Sequence, residues 1–228
     1  MTEEVQSGST ALVNYEEQLR QELGGLAKQL EPPSSNKIST KGKLFTLPGG
    51  RNSPGPMFAI ILDWVAVNMV YKGGYNPNVR QPPLCWAIGK NLDELKPSDA
   101  VKEPQGTDCA SCPKNAWGSG QGGKGKACKN QRRLLIVPAD FKAGDEPMSL
   151  YVSPTGLKSF NAYVKKLASE QGKLPVQVIT TISFDPQQAY PTLVFEYKEP
   201  HGRLNEAMAL RTLHQDMLLR EPDVQQAA

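Results

Sequence analysis

Four cysteines are the residues of this sequence whose type and spacing most clearly specify a chemistry. Cys109 and Cys112 form a C-x2-C pair, a spacing that lets two thiolates bind one tetrahedral Zn²⁺. Cys85 lies 23 intervening residues before this pair, and Cys128 lies 15 after it. A regular zinc ribbon has two C-x2-C pairs, so this spacing is irregular, but four thiolates still complete a tetrahedral site. We therefore expect one structural Zn²⁺, held by Cys85, Cys109, Cys112 and Cys128.

Other roles for the cysteines fit the sequence less well. Four free or buried thiols are the main alternative to a metal site. A thioredoxin-like redox pair is disfavoured, because Cys112 is followed by Pro113 and a loop rather than by a helix. A catalytic zinc would need a water site and a nearby base, and the sequence has no H-x-E or H-E-x-x-H pattern. The first residues form no apolar signal segment, so we expect thiols or metal ligands rather than disulfides.

The sequence around Cys128 contains several basic residues and no acidic ones. Between residues 113 and 133 the sequence has six lysines and arginines and no aspartate or glutamate, and residues 37–56 form a second such stretch. Lysines on a glycine-rich chain can follow a phosphate backbone, and exposed aromatic rings can stack on bases. The residues that we expect to contact DNA are Lys114, Trp117, Lys124, Lys126, Lys129, Arg132, Arg133, Lys41, Lys43, Arg51, Tyr71 and Tyr75.

Two simpler interpretations of these residues stay open. The lysines would also keep a solvent-exposed loop soluble, and Trp117 would equally cap a zinc site. The run "GGKGKACK" lacks the G-x4-G-K-[ST] pattern of a nucleotide-hydrolysing loop. A net charge of +3 does not by itself identify a nucleic-acid-binding protein, so the distribution of charge is the more informative property.

The pattern of apolar residues predicts the elements that position these groups. Leucines at helical spacing predict an amphipathic helix over residues 15–30, followed by a proline-rich linker. Strands are predicted in "MFAIILDWVAVNMVYK", "LCWAI", "RRLLIVP" and "MSLYVS", the first of them buried on both faces for part of its length. The longest apolar run carries Asp63 and is too short to span a membrane.

The second half of the sequence predicts a helix, a hairpin and another helix. The first helix begins at Ser153 as N-cap with Pro154 at the first helical position, and Gly172 ends it. "PVQVITTISF" and "TLVFEYK" flank the loop "DPQQAYP" and predict a hairpin. Residues 204–219 predict the last helix, with an apolar face formed by Leu210, Leu213, Met217 and Leu218.

These elements predict a mainly β protein of the α+β class with accessory helices. Strands of uneven length around one mid-chain helix are typical of an oligonucleotide-binding (OB) β-barrel. We expect an N-terminal helical arm and linker over residues 1–35 and an OB-like core over 36–200. The core carries its zinc-binding insertion at about 85–128. Residues 201–228 are expected to form an accessory C-terminal helix and tail.

Three segments of the insertion resemble a known family. The segments "PLCWAIG", "DCASCPKNAWGSG" and "GKGKACKNQRRLLIV" are similar to the cysteine-bearing part of bacteriophage single-stranded DNA-binding proteins. The resemblance implies an OB fold with a zinc-bound insertion, acting in phage DNA replication, recombination or repair. It also implies that the four cysteines are metal ligands and that the lysines and arginines contact DNA. Many such proteins end in an acidic tail, whereas here Glu221 and Asp223 are offset by Arg220.

The favoured function is therefore sequence-independent binding of single-stranded DNA without enzymatic activity. We expect phage replication or recombination proteins as partners, self-association, no membrane contact and a location in the cytoplasm of the infected bacterium. The alternative is a zinc-stabilised scaffold or interaction protein of a phage particle or transcription complex. A zinc-dependent nuclease is disfavoured, because the sequence has no cluster of carboxylates and histidines.

Overall fold

The fold is mixed α+β and consists mostly of strands, as the sequence predicts. The structure, a computed structural model, describes residues 36–53, 55–73, 81–142 and 144–222, so the helix predicted at 15–30 lies outside them. The strands in these ranges are β1 (Lys37–Ile38), β2 (Phe45–Thr46), β3 (Asn52–Ser53), β4 (Met57–Val70), β5 (Cys85–Gly89), β6 (Lys129–Pro138), β7 (Met148–Val152), β8 (Val178–Phe184) and β9 (Leu193–Pro200). The α-helices are α1 (Leu157–Gln171), α2 (Leu204–Leu213) and α3 (Asp216–Leu219).

Seven strands form one sheet. Six of them follow one another in the order β1-β7-β6-β4-β8-β9, and the seventh, β5, pairs with β4. All of its pairs are antiparallel except β1 with β7. Strands β2 and β3 form a separate antiparallel hairpin. Within the described residues the large sheet is open, because β1 and β9 stand at its two ends and do not pair with each other.

Strand β4 is the centre of the sheet. It pairs with β6 along most of its 14 residues, with β8 at its beginning and with β5 at its end. A register shift between Ile61 and Asp63 bends the strand at its middle. Most of its positions are buried, as predicted for an apolar run that is covered on both faces.

The two faces of the sheet are covered by different helices. On one face α1 supplies Phe160, whose ring lies edge-on to Trp64 at 5.6 Å and to Phe195 at 5.1 Å. On the other face α2 and α3 bury Ala207 and Leu218 against β4 and β6. The described residues from Lys37 onwards belong to one compact unit, in which the C-terminal helices lie with the sheet.

The start of α1 differs from the prediction. Helix α1 begins at Leu157 after Gly156, not at Ser153, because the Gly156 amide bonds to the Ser153 carbonyl in a preceding turn. A Cβ at Gly156 would also lie 3.0 Å from the Val152 side chain, so a larger residue here would require that side chain to shift. Gly172 ends the helix in the left-handed conformation, as predicted.

The helix predicted at 204–219 is broken. It separates into α2 and α3 at His214 and Gln215. Leu213, which the prediction placed on the apolar face, is the last residue of α2 and is 72% exposed. No helix within the described ranges is long and apolar enough to cross a membrane.

Candidate metal centre and nucleic-acid surface

The end of β4 brings two of the cysteines together from distant parts of the sequence. Cys85 begins β5 and pairs with Val70, the last residue of β4. Cys128 lies directly before β6, whose first residue Lys129 pairs with Met69. These two cysteines therefore flank the same strand end on opposite edges.

The loop between β5 and β6 brings in the other two cysteines. The Cys109 amide donates a hydrogen bond to the Leu95 carbonyl at 2.8 Å, which fixes the start of the C-x2-C turn. Asp108 accepts hydrogen bonds from the Ser111 amide at 2.7 Å and the Ser111 hydroxyl at 2.5 Å, which holds the turn closed and lowers the pKa of that carboxyl. The Asn115 side chain donates to the Cys109 carbonyl at 2.6 Å.

All four cysteines line one small cavity. The cavity has a volume of about 10 Å³, close to what a single water molecule needs, and Asn68, Asn115 and Asp108 also border it. Cys85, Cys112 and Cys128 are buried, Cys109 is half-buried, and none of the four forms a disulfide. The cysteines that the sequence scatters over 44 positions thus meet at one point.

The surroundings of these cysteines disfavour isolated thiolates. Burial raises the pKa of the Cys128 thiol to about 12, and the charges of the three other cysteines add to the rise. Burial also raises the pKa of Cys85 and of Cys109. A bound cation would reverse this effect, because a thiol that coordinates a metal is deprotonated.

The described side chains do not form a completed metal site. The Cys112 thiol donates to the Gln105 carbonyl at 3.3 Å, and no group of three or more His, Cys, Asp or Glu residues in the described ranges is arranged so that it could hold a metal ion. The donor set still fits zinc in number and type, because four sulfurs border one atom-sized space. Binding would require the sulfurs to move inward until each lay about 2.3 Å from the metal.

The basic residues of the insertion separate into an exposed and a buried set. Lys114, Trp117 and Lys124 are exposed, and 83% of the Trp117 surface is accessible. Lys126 is half-buried and donates to Asn115 at 3.2 Å and Asn130 at 3.3 Å. Lys129 is also half-buried at the start of β6.

Arg132 and Arg133 are buried in β6 and have internal partners. The Arg133 guanidinium donates to the carbonyls of Leu218 and Arg220, each at 2.7 Å, and to the Tyr151 hydroxyl at 2.7 Å. Burial lowers the pKa of Arg132, which donates to the Gln131 carbonyl at 3.1 Å. Arg133 thus holds the chain that follows α3, and we remove both arginines from the set expected to contact DNA.

The remaining predicted DNA contacts lie apart from the insertion in sequence. Lys41 and Arg51 are exposed, and Lys43 is half-buried with its ammonium 3.2 Å from the Asp185 carbonyl. Tyr71 is half-buried and donates to the Met69 sulfur at 3.1 Å, so only part of its ring is accessible. Tyr75 lies outside the described residues.

Some residues of the site were missed from the sequence. Asn68 borders the cysteine cavity and accepts a hydrogen bond from Asn130 at 2.8 Å. A polar residue within the apolar run of β4 was the available signal. Glu221 bonds to the Trp86 indole and to the Ser98 hydroxyl, which ties the C-terminal chain to the insertion. Nothing local to Glu221 indicates these contacts.

Comparison with known proteins gives no match to this chain: no protein-family model, no curated protein and no solved structure is similar to it.

Proposed function

We propose that this protein binds single-stranded DNA without sequence preference and without enzymatic activity, through an OB-like β-core. The observation that carries the proposal is the position of the cysteine loop in the strand order. Strands β4, β6 and β7 form an antiparallel meander, α1 follows, and the β8–β9 hairpin returns beside β4. An OB fold is a partly open five-stranded barrel that binds oligonucleotides through two of its loops, those between strands 1 and 2 and between strands 4 and 5.

The proposed OB-like core would carry the insertion in one of its binding loops. If β4, β6, β7, β8 and β9 are its five strands, the cysteine loop joins the first and second. The loop over residues 185–192 then joins the fourth and fifth. The exposed lysines and Trp117 lie on the first of these loops, which supports a role in following a phosphate backbone and stacking on bases.

We propose that Cys85, Cys109, Cys112 and Cys128 bind one structural Zn²⁺. A metal at this point would join the end of β4 to the long loop that carries Cys109 and Cys112. Protein purified without chelator is expected to contain about one equivalent of zinc. Cys128→Ser is expected to abolish zinc retention, and Gln121→Ala, at an exposed position of the same loop, serves as a control that keeps it. Zinc-free protein with four freely reactive thiols in the native state would contradict the site.

The resemblance of the cysteine segments supports a phage context for this activity. We propose that the protein acts in DNA replication, recombination or repair, in the cytoplasm of the infected bacterium. Phage replication or recombination proteins and further copies of the chain are its proposed partners.

One observation favours the alternative, a zinc-stabilised scaffold or interaction protein. The C-terminal helices expose several large apolar side chains, a feature of surfaces that contact protein. They are Leu204, Met208, Leu213 and Leu219. In that case the protein would assemble through these helices and would not bind DNA.

A titration with fluorescently labelled oligo(dT) separates the two functions. The proposed function predicts that the anisotropy rises when protein is added and that this rise is smaller at higher salt concentration. Unlabelled single-stranded DNA should displace the labelled oligonucleotide better than duplex DNA does. If the anisotropy does not change at low salt while Leu213→Ser alters the oligomeric state, the scaffold function is the correct one.

A further inference from the structure

A second candidate site lies at the end of β8, away from the cysteine loop. The cavity there has a volume of about 260 Å³ and is lined by Lys43, Pro56, Ser183, Phe184, Asp185 and Pro186, together with Gly55. This volume is just below the range of about 300–1,000 Å³ for pockets that hold drug-sized ligands. The cavity therefore suits a single ring system rather than a whole cofactor.

Phe184 gives this cavity a rigid aromatic wall. Its ring stacks on Phe45 with centroids 4.4 Å apart and an interplanar angle of 26°. Phe45 is fully buried, so it fixes the orientation of the Phe184 ring, while Phe184 itself is only half-buried. A flat heteroaromatic ring entering the cavity would find an oriented π surface.

Lys43 supplies the positive charge. It is the one non-glycine residue with a positive φ, 57°, in the described ranges, and such conformations concentrate at functional sites. This backbone brings its ammonium to 3.2 Å from the Asp185 carbonyl, at the edge of the cavity. Lys41, two residues earlier, is exposed and adds a second cation to the same segment.

The other polar groups of the cavity are of the kinds that form hydrogen bonds to the edge of a nucleic-acid base. Ser183 offers a hydroxyl that both donates and accepts. Asp185 is the only acid among the described lining residues, and its carboxylate accepts the Gln187 amide at 2.9 Å. The cavity thus combines a stacking ring, hydrogen-bonding groups and a cation at its rim.

We infer that this cavity is a subsite for one nucleotide of a bound single strand. The base stacks on Phe184, and its phosphate lies against Lys43 and Lys41. The inference rests on the proposed function, because the cavity lies where the loop between the fourth and fifth strands of the OB-like core begins.

Photo-crosslinking of the full chain tests the subsite directly. An oligo(dT) carrying one 5-iododeoxyuridine is irradiated with the protein, and the adduct is mapped by mass spectrometry. The subsite predicts an adduct at Phe184. If the oligonucleotide binds but its adducts lie elsewhere and none includes Phe184, the subsite is overturned while the proposed function stands. If the oligonucleotide does not bind at all, the proposed function fails first.

Two substitutions give an independent measurement. Phe184→Leu keeps an apolar side chain against Phe45 but removes the π surface, and it should weaken oligo(dT) binding at least about 5-fold without changing the salt dependence. Lys43→Gly relieves the left-handed backbone and should lower the slope of log K against log salt by about 0.7. Lys142→Gly, at an exposed lysine of a different loop, is the control with an unchanged slope. Wild-type binding and slope in both variants would overturn the subsite.

Discussion

Trp117 is the most exposed large apolar side chain in the described residues, with 83% of its surface accessible. An indole on a polar, glycine-rich loop gains nothing from packing, yet it offers the largest stacking surface of any side chain. The alternative, that Trp117 caps the zinc site, fits this exposure poorly. At the residue scale this exposure favours base stacking for Trp117 as part of the proposed function.

The first prediction concerns this side chain. Trp117→Ala should weaken oligo(dT) binding by about 1–3 kcal/mol, because one base loses its stacking partner. The salt dependence should stay the same, since no charge is removed. Leu92→Ala, at an exposed apolar residue of the same insertion, is the control and should bind as wild type. Equal affinity for Trp117→Ala and wild type would remove Trp117 from the binding surface.

The sequence allows some residues of the site to be predicted and not others. All four cysteines could be found, because cysteine is scarce here and a C-x2-C pair is a strong local signal. Arg133 could not be distinguished from Lys124, because its partners are the carbonyls of Leu218 and Arg220, more than 80 positions away. Residue type predicts charge, but only the tertiary structure decides whether a charge meets solvent.

At the scale of elements, the bend of β4 is held by a buried carboxylate. The side chain of Asp63 is only 10% exposed and contacts the Lys90 ammonium at 2.6 Å and the Arg211 guanidinium at 3.1 Å. Its other oxygen accepts the Trp64 amide at 2.8 Å. Asp63 therefore joins three elements: the bend of β4, the turn after β5, and α2.

The second prediction follows from this ion cluster. Asp63→Asn should lower the free energy of unfolding by about 1–3 kcal/mol, less than for a fully buried pair because both cations are partly exposed. Urea denaturation measures this change. Glu170→Gln, which breaks the exposed Lys166–Glu170 pair, should change stability by less than about 0.5 kcal/mol. If the two variants have the same stability, Asp63 does not hold the bend.

Element positions were predictable wherever a local signal exists. The apolar run of β4 and the helix-ending Gly172 each specify their element directly. The start of α1 was placed three residues early, because Ser153 and Pro154 resemble an N-cap and first turn but form a separate turn before Gly156. The break at His214 was missed because the apolar spacing continues across it.

At the scale of the whole molecule, the C-terminal chain ties the sheet to the insertion. Ala207 and Leu218 are buried against the sheet, and Arg133 bonds to the carbonyls of Leu218 and Arg220 at the end of α3. Glu221 bonds to Trp86 beside the cysteine cavity. The sequence placed residues 201–228 in an accessory unit. The contacts of residues 204–221 lead us to propose instead that this part of the chain stabilises the core.

The third prediction tests this role. A fragment ending at residue 200 should unfold at a lower temperature than the full chain, with a loss of at least about 3 kcal/mol. The reason is that it exposes the apolar face under α2 and α3 and leaves Arg133 without its partners. Asn205→Ala, at an exposed position of α2, is the control and should melt like the wild-type protein. Calorimetry showing the same melting temperature for the shorter fragment would make the helices accessory after all.

The central claim, that the cysteine loop guides single-stranded DNA, is tested most directly by the salt dependence of oligo(dT) affinity. Lys114→Ala/Lys124→Ala should lower the slope of log K against log salt by about 1.4, which is about 0.7 for each phosphate that the variant no longer neutralises, with zinc content unchanged. Lys158→Ala/Lys165→Ala, at two exposed lysines of α1, should keep the wild-type slope. Equal slopes for wild type and both double variants, or no binding by the wild type at low salt, would contradict the claim.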